Sequence, residues 1–126
     1  MSERNDSVSP EKLSELMVLG MQEKKASDIV VLDLRKVKNA VADFFIICSG
    51  NSDRQVDSIS ESIEEHVYKN VKESPWHAEG KTNKEWILLD YVDVVAHIFK
   101  HESREFYALE SLWGDAQTTM VQEAEI

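Results

Sequence analysis

The stretch that decides the fold is residues 86–99, which read WILLDYVDVVAHIF. It contains two apolar runs, 86–91 and 94–99, separated only by Val92 and Asp93. Short runs rich in β-branched and aromatic residues are typical of β-strands, and two runs this close together predict a β-hairpin. Both alternating sets of side chains along these runs are largely apolar, so the hairpin needs cover on both faces of its sheet.

Two interpretations of this hairpin stay open. In the first, the helices of the chain divide between the two faces of the sheet, and every apolar side chain of the hairpin belongs to the core. In the second, one face is covered incompletely, and the apolar surface left on it marks a partner-binding site. The pattern alone favours the first interpretation.

The rest of the chain supplies three predicted helices and three further strands. Ser9 is the predicted N-cap of the first helix, with Pro10 as its first residue. Ser52, followed three residues later by Gln55, forms a capping box that begins the second helix. The helices are predicted over 10–24, 52–72 and 103–112, and the strands over 28–34, 44–48 and 76–79.

The order helix, two strands, helix, three strands, helix predicts an α+β fold with a mixed five-stranded sheet and three helices. The first two strands are expected to pair antiparallel, and the strand–helix–strand unit over 44–79 is expected to cross over right-handed. We predict one domain over residues 10–115. Residues 1–9 are expected to form a flexible N-terminus, and residues 116–126 a flexible acidic tail.

Charge and hydropathy narrow the class of function. The chain has 126 residues and a formal net charge of −10. Nucleic-acid phosphates repel such a protein, so we expect a basic protein partner and little direct nucleic-acid contact. No apolar run approaches the ~20 residues that span a membrane, and residues 1–6 lack the apolar segment of a secretory signal. A cytoplasmic location is the resulting expectation.

Candidate catalytic and metal-binding groups are few. Asp90, Asp93 and His97 offer a carboxylate–histidine set for a metal ion, but their spacing matches no metal-binding motif. Capping of the hairpin turn by the two aspartates is the favoured interpretation. Cys48 is the only cysteine and lies in an apolar run, which predicts a buried structural thiol. We therefore expect no catalytic residue, no metal and no cofactor.

A second candidate site is the segment Ser-Gly-Asn-Ser at 49–52, directly before the second predicted helix. Backbone N–H groups at a helix start can bind phosphate. This segment has one glycine and no following lysine, so it matches neither a P-loop nor a dinucleotide-binding fingerprint. Helix capping is the favoured interpretation of these residues.

Three ordered blocks of sequence resemble the ribosomal silencing factor family, also called the iojap-related family. The blocks are ADFFII at 42–47 with SGNSDRQV at 49–56, Glu79-Gly80 with 86–99, and REFYALESLWGD at 104–115. The resemblance covers roughly residues 10 to 115, and three blocks in order are more specific than any one of them. One departure is Val92, where the family often has glycine. Because a β-branched residue disfavours positive φ, the turn is expected to differ here.

The resemblance implies an α+β fold with some likeness to nucleotidyltransferases, but without their catalytic carboxylates. It implies a homodimer away from the ribosome, and binding to large-subunit ribosomal protein fourteen on the face where the small subunit docks. Occupying that face blocks joining of the two subunits and represses translation when nutrients are limited. A role in biogenesis of the large subunit is also associated with the family.

Eight residues are the candidate contacts with that partner. The expected apolar patch consists of Trp86, Leu88, Tyr91 and Tyr107, and the acidic residues expected to face basic groups are Glu79, Asp90 and Asp93. Arg104 is expected either to reach the partner or to brace Asp90 within the fold.

Two other functions remain as alternatives. A nucleotidyltransferase-like nucleotide-binding enzyme is suggested by the helix start at 50–52 and by the carboxylates near Asp90. A dimeric scaffold without a ribosomal role is the third interpretation, which the three sequence blocks disfavour.

Overall fold

The computed structural model describes residues 8–107 and 116–121 and has an α+β fold. Its helices are α1 (Pro10–Glu23), α2 (Asp53–Val71) and α3 (His101–Tyr107). Its strands are β1 (Ser27–Asp33), β2 (Phe44–Gly50), β3 (His77–Glu79), β4 (Trp86–Asp90), β5 (Val94–Lys100) and β6 (Gln117–Met120). No helix in the described part of the chain is long and apolar enough to cross a membrane.

All six strands form one mixed sheet in the order β3-β4-β5-β2-β1-β6. β4 and β5 are the predicted hairpin, paired antiparallel with Trp86 opposite Phe99 and Asp90 opposite Val95. β1 and β2 pair antiparallel, as predicted. β2 and β5 are parallel neighbours. The chain therefore leaves β2 through α2, builds the far edge of the sheet as β3, and returns to β2 through the hairpin.

The prediction of five strands is wrong by one, because residues 117–120 form a sixth strand. β6 pairs antiparallel with β1, with Thr119 opposite Val31 and Gln117 opposite Asp33. These residues lie in the segment that was predicted to be a flexible tail. All four side chains of β6 are exposed, so no apolar alternation reveals the strand. The edge of β1 orders it through backbone hydrogen bonds, which the sequence pattern does not record.

The two longer helices cover one face of the sheet. α1 directs Leu13 and Met17 into the main core, and α2 contributes Ile59 and Ile63 to the same cluster. The helices approach closely at Gly20, where an added Cβ would lie 2.8 Å from the Cα of Ile63. This close packing therefore requires a residue without a side chain on α1.

The opposite face of the sheet has a second, smaller apolar cluster, which includes Phe45 and Phe99. Part of its cover is the loop between β1 and β2, whose Val37 packs against it. β5 is buried on both faces, whereas Trp86 and Leu88 of β4 are only half-buried on this second face. The burial of β5 on both faces agrees with the first interpretation, although α1 and α2 lie on the same face and do not divide between the two. The cover of Trp86 and Leu88 is incomplete, as the second interpretation expects.

Candidate partner-binding face

Four of the eight predicted contact residues lie on one surface, on the side of the sheet away from α1 and α2. In the register of β3 and β4, Glu79 lies opposite Leu88 and His77 lies opposite Asp90. Residues directly opposite each other on paired strands share a face, and alternation along β4 adds Trp86 to it. We call this surface the outer face of β3–β4, and define it as His77, Glu79, Trp86, Leu88 and Asp90.

Trp86 is held at one end of this face by aromatic neighbours on β5. Its ring stacks on Phe99 with 5.1 Å between centroids and a 22° angle between planes. Its indole Nε1 donates a hydrogen bond to Nδ1 of His97 at 3.0 Å. The polar edge of the indole is thus satisfied inside the protein. The accessible part of Trp86, together with the half-buried Leu88, gives the outer face an apolar centre.

The turn before Trp86 depends on a glycine. Gly80 has φ +86, and an added Cβ would lie 2.0 Å from the carbonyl oxygen of Trp86. No side chain fits there, since that oxygen is backbone and cannot move aside. Gly80 therefore lets the β3–β4 connection pass directly against the strand that presents the indole.

The same connection is tied to α2 by charge. Two of its lysines pair with carboxylates on α2: Lys81 with Glu64, and Lys84 with Asp57 at 3.7 Å. A third lysine, Lys100 at the end of β5, pairs with Asp53 of α2 at 2.9 Å. These pairs lie at the surface and each contributes little to stability. Their main effect is to neutralise part of the acidic side of α2 and to orient the connection.

The rim of the outer face is acidic. The side chains of Glu79 and His77 are largely exposed, and Nε2 of His77 lies 2.7 Å from a carboxylate oxygen of Glu79. Asp90 is half-buried at the other end of β4. With a net charge of −10 on the chain, this surface is suited to basic groups of a partner.

The Asp90 side chain caps the hairpin turn, as the favoured interpretation predicted, whereas the hydrogen bond of Asp93 with Asp43 is made by its backbone. A carboxylate oxygen of Asp90 accepts the Val92 N–H at 2.7 Å, and the carbonyl of Asp93 accepts the Asp43 N–H at 2.7 Å. In the described ranges, no group of three or more His, Cys, Asp or Glu side chains is placed to hold a metal ion. The candidate metal set of Asp90, Asp93 and His97 is therefore not assembled.

Val92 occupies this turn with φ +78 and is 57% exposed. A β-branched residue in that region is strained, because its Cβ crowds the neighbouring carbonyl oxygen. The turn thus keeps a left-handed backbone at the position where the family often has glycine. The hydrogen bond from Asp90 and the pairing of β4 with β5 hold this conformation, so the β-branched side chain does not exclude positive φ here.

Tyr91 does not lie on the outer face, contrary to the prediction that it joins the apolar patch. It is 2% exposed and belongs to the core cluster beneath α1 and α2. Asp90 points to the outer side, so the next residue along the chain turns to the other side. Burial raises the pKa of the Tyr91 hydroxyl. Its role here is in packing beneath the helices.

Arg104 does not brace Asp90. One nitrogen of its guanidinium donates to the Asp28 carbonyl at 2.6 Å and to the Ser49 hydroxyl at 3.0 Å. It therefore attaches α3 to β1 and β2, which β5 separates from β4 in the sheet. The side chain of Tyr107 lies outside the described residues.

Two residues of this region were not among the predicted contacts. His77 belongs to the outer face, and alternation with Glu79 along the predicted strand was a signal that could have identified it. Trp76 precedes it and is 76% exposed, and its backbone N–H donates to the backbone carbonyl of Asp90 at 2.7 Å. An exposed tryptophan beside the acidic rim extends the apolar area available to a partner.

The candidate phosphate site before α2 is used for capping. Ser52 Oγ accepts the Gln55 N–H at 3.1 Å, and Oε1 of Gln55 accepts the Asn51 N–H at 2.6 Å. Nε2 of Gln55 also donates to the carbonyls of Lys24 and Lys25 at 3.1 and 3.2 Å. The capping interpretation is confirmed, and the same glutamine joins the start of α2 to the end of α1.

Cys48 lies on β2 and is buried, as predicted. Burial raises the pKa of its thiol, so the reactive thiolate form is suppressed. This environment is typical of a structural cysteine.

Known proteins resemble this chain in sequence. A profile described as "Ribosomal silencing factor during starvation" matches residues 7–126. A protein of Halalkalibacterium halodurans, "Ribosomal silencing factor RsfS", is 36% identical over 115 residues, which are 91% of this chain and 97% of the relative. The mouse protein "Mitochondrial assembly of ribosomal large subunit protein 1" is 30% identical over 102 residues, covering 79% of this chain and 44% of the relative.

The fold also resembles a crystal structure of a protein from Chromobacterium violaceum. The TM-score is 0.80 at 27% sequence identity, over 93% of this chain and 96% of that one. The names of the two sequence relatives describe regulatory and assembly factors of the ribosome and name no enzyme activity. Because the profile extends over almost the whole sequence and the fold agrees, this chain belongs to the ribosomal silencing factor family.

Proposed function

We propose that this protein docks on the large ribosomal subunit through the outer face of β3–β4 and thereby prevents the small subunit from joining. The observation that carries the proposal is the composition of that face. Half-buried Trp86 and Leu88 form an apolar centre, and Glu79 and Asp90 stand beside them on the same side of the sheet. Interfaces of this kind place apolar anchors at the centre and polar groups at the rim.

The proposed partner is large-subunit ribosomal protein fourteen. Ribosomal proteins are basic as a class, and a surface with an acidic rim on a chain of net charge −10 is complementary to them. The same charge is repelled by ribosomal RNA, so protein contacts are expected to dominate. The name of the mouse relative, which refers to assembly of the large subunit, supports this choice of subunit.

The proposed mechanism is steric exclusion and needs no chemical step. A bound protein of this size on the subunit-joining surface occupies volume that the small subunit requires. An interface of about 1,600 Å² in total is sufficient for a stable complex of this type. Repression of translation during nutrient limitation then follows from occupancy of the site. We further propose a cytoplasmic location, a homodimer off the ribosome and a role in large-subunit biogenesis.

Co-sedimentation of the purified full chain with large subunits tests the proposal. The test variant combines Trp86→Ala with Leu88→Ala. The matched control is Tyr68→Ala on α2, which removes an aromatic side chain that is 54% exposed away from the outer face. We expect the double variant to bind at least about 30-fold more weakly, equivalent to roughly 2 kcal/mol. It should also fail to block subunit joining, while the control matches the wild type.

A charge-reversal variant, Glu79→Lys, separates electrostatic from apolar contributions. Glu79 is exposed, so the substitution leaves the core unchanged. We expect slower association and a weaker dependence of affinity on salt. Failure of the folded wild-type protein to bind large subunits at any salt concentration would overturn the proposed function. Unchanged binding by the folded double variant would overturn the assignment to the outer face.

A further inference from the structure

The structure contains a buried histidine on the same side of the sheet as the candidate docking face, next to Trp86. His97 is 3% exposed, lies opposite Leu88 in the hairpin and points to the same side of the sheet. Its ring contacts Phe45 edge-on, with 4.6 Å between centroids. Trp86 lies on its other side at 5.8 Å. The imidazole therefore packs between Phe45 and the half-buried indole of Trp86.

The hydrogen bond from Trp86 determines the state of this histidine. Nδ1 of His97 accepts the indole N–H, so Nδ1 carries no proton and the ring proton resides on Nε2. Burial also lowers the pKa of His97 to about 3, which keeps the ring neutral. The acceptor is thus available to Trp86 at every pH at which cells live.

His97 is costly as a core residue. Nε2 is buried and has no hydrogen-bond partner among the described residues. A buried polar atom without a hydrogen-bond partner destabilises the fold relative to an apolar residue of similar shape. Filling space between Phe45 and Trp86 would not require an imidazole. What the imidazole adds, compared with leucine, is an acceptor at the position of Nδ1.

We propose that His97 is a positioning residue for docking: its Nδ1 holds the Trp86 indole in the orientation that the partner recognises. This inference rests on the proposed function and deepens it. Trp86 has two rotatable side-chain bonds and is only half-buried, so stacking on Phe99 alone leaves the ring free to slide or flip. The hydrogen bond fixes which edge of the indole points inward. The Trp86 side chain is then already ordered before the partner binds, so binding costs less conformational entropy.

The test compares two substitutions of nearly equal size, His97→Asn and His97→Leu. The asparagine amide oxygen can take the place of Nδ1 as an acceptor, whereas leucine cannot. Both variants lose the ring, so packing losses are matched between them. We expect His97→Leu to bind large subunits about five-fold more weakly than His97→Asn, the effect of one neutral hydrogen bond.

A double-mutant cycle with Trp86→Phe separates positioning from a merely structural role. Phenylalanine keeps an aromatic ring and removes the N–H donor. In that background, His97→Asn and His97→Leu should bind equally well. If the five-fold difference between the two persists without the indole N–H, the positioning role is overturned.

A second readout is independent of the ribosome. In a proton–nitrogen spectrum of the full chain, the Trp86 indole N–H should be shifted and protected from exchange. Trp86→Phe identifies its signal among the three tryptophans. Protection should persist in His97→Asn and disappear in His97→Leu. Loss of protection without loss of affinity overturns the docking role, and so does equal affinity of all folded variants. A wild-type protein that does not bind large subunits overturns the proposed function and this role together.

Discussion

The two faces of β4 differ in what covers them, and that difference separates side chains of the closed core from side chains that remain partly accessible. Ile87 and Leu89 point towards α1 and α2 and are fully buried in the main core. Trp86 and Leu88 alternate with them, point to the other side and are half-buried. Adjacent apolar residues of one strand therefore have different environments. The inner face holds the fold together, and the outer face is available for a partner.

The largest expected effect on stability comes from substituting two neighbouring leucines, one on each face of β4. Leu89→Ala should lower the free energy of unfolding by about 3 kcal/mol, because it leaves a cavity in a closed core. Leu88→Ala should lower it by only about 1 kcal/mol, because part of this side chain is already in contact with water. Urea denaturation measures both values. Equal losses would show that the outer face is as closed as the inner one.

An intermediate effect is the dependence of the free energy of unfolding on pH that the buried His97 causes. The pKa of His97 is lowered by burial from 6.5 to about 3, so the unfolded chain binds a proton that the native chain does not. The stability that this group contributes is present above pH 6.5 and is lost as the pH falls from 6.5 towards 3. At pH 5.5 the loss should be about 1.4 kcal/mol.

This loss is measured by comparing denaturation at pH 7.5 and pH 5.5 in the wild type and in His97→Asn. The variant retains every other titratable group, so the difference between the two proteins isolates His97. We expect the wild type to lose about 1.4 kcal/mol more than the variant between these two pH values. Identical pH dependence in both proteins would mean that His97 is not buried as described.

The smallest expected effect is at the hairpin turn, where the two faces meet. Val92→Gly should raise the free energy of unfolding by about 0.8 kcal/mol. Relief of the positive φ gains about 1–2 kcal/mol, and the greater freedom of glycine in the unfolded chain opposes it by about 0.4–1 kcal/mol.

The matched control for the turn is Val41→Gly. Val41 is also highly exposed, but its φ is not positive. With no strain to relieve, this substitution should lower stability slightly. A thermal melt of the two variants beside the wild type should therefore show shifts of opposite sign. Shifts of the same sign would indicate that the Val92 turn carries no strain.

Much of the fold was predictable from local sequence. The caps at Ser9 and Ser52 are both formed as predicted. Helical periodicity predicted α1 and α2, and apolar runs predicted β1, β2 and the two strands of the hairpin. The short strand β3 was also predicted, although its three side chains are exposed. These features depend on contacts between residues close in sequence, or on one buried face, and both leave a periodic pattern.

Part of the candidate site was predictable for the same reason. Alternation along β4 places Trp86, Leu88 and Asp90 on one side, and pairing with β3 adds Glu79. Tyr91 was misplaced because its aromatic character suggested the patch, whereas its position in the alternation directs it inward. The position of a residue in the alternation along a strand therefore predicts which face of the sheet it occupies better than its residue type does.

What the sequence by itself determined is the two longer helices, five of the six strands, the turn chemistry of Asp90 and the acidic character of the chain. Only the tertiary structure decided the rest. β6 exists because the edge of β1 accepts it, and Arg104 attaches to Asp28 and Ser49 because the sheet brings them together. The physical reason is distance along the chain. Hydrogen bonds between residues far apart in sequence leave no periodic pattern of residue types, so no local pattern predicts them.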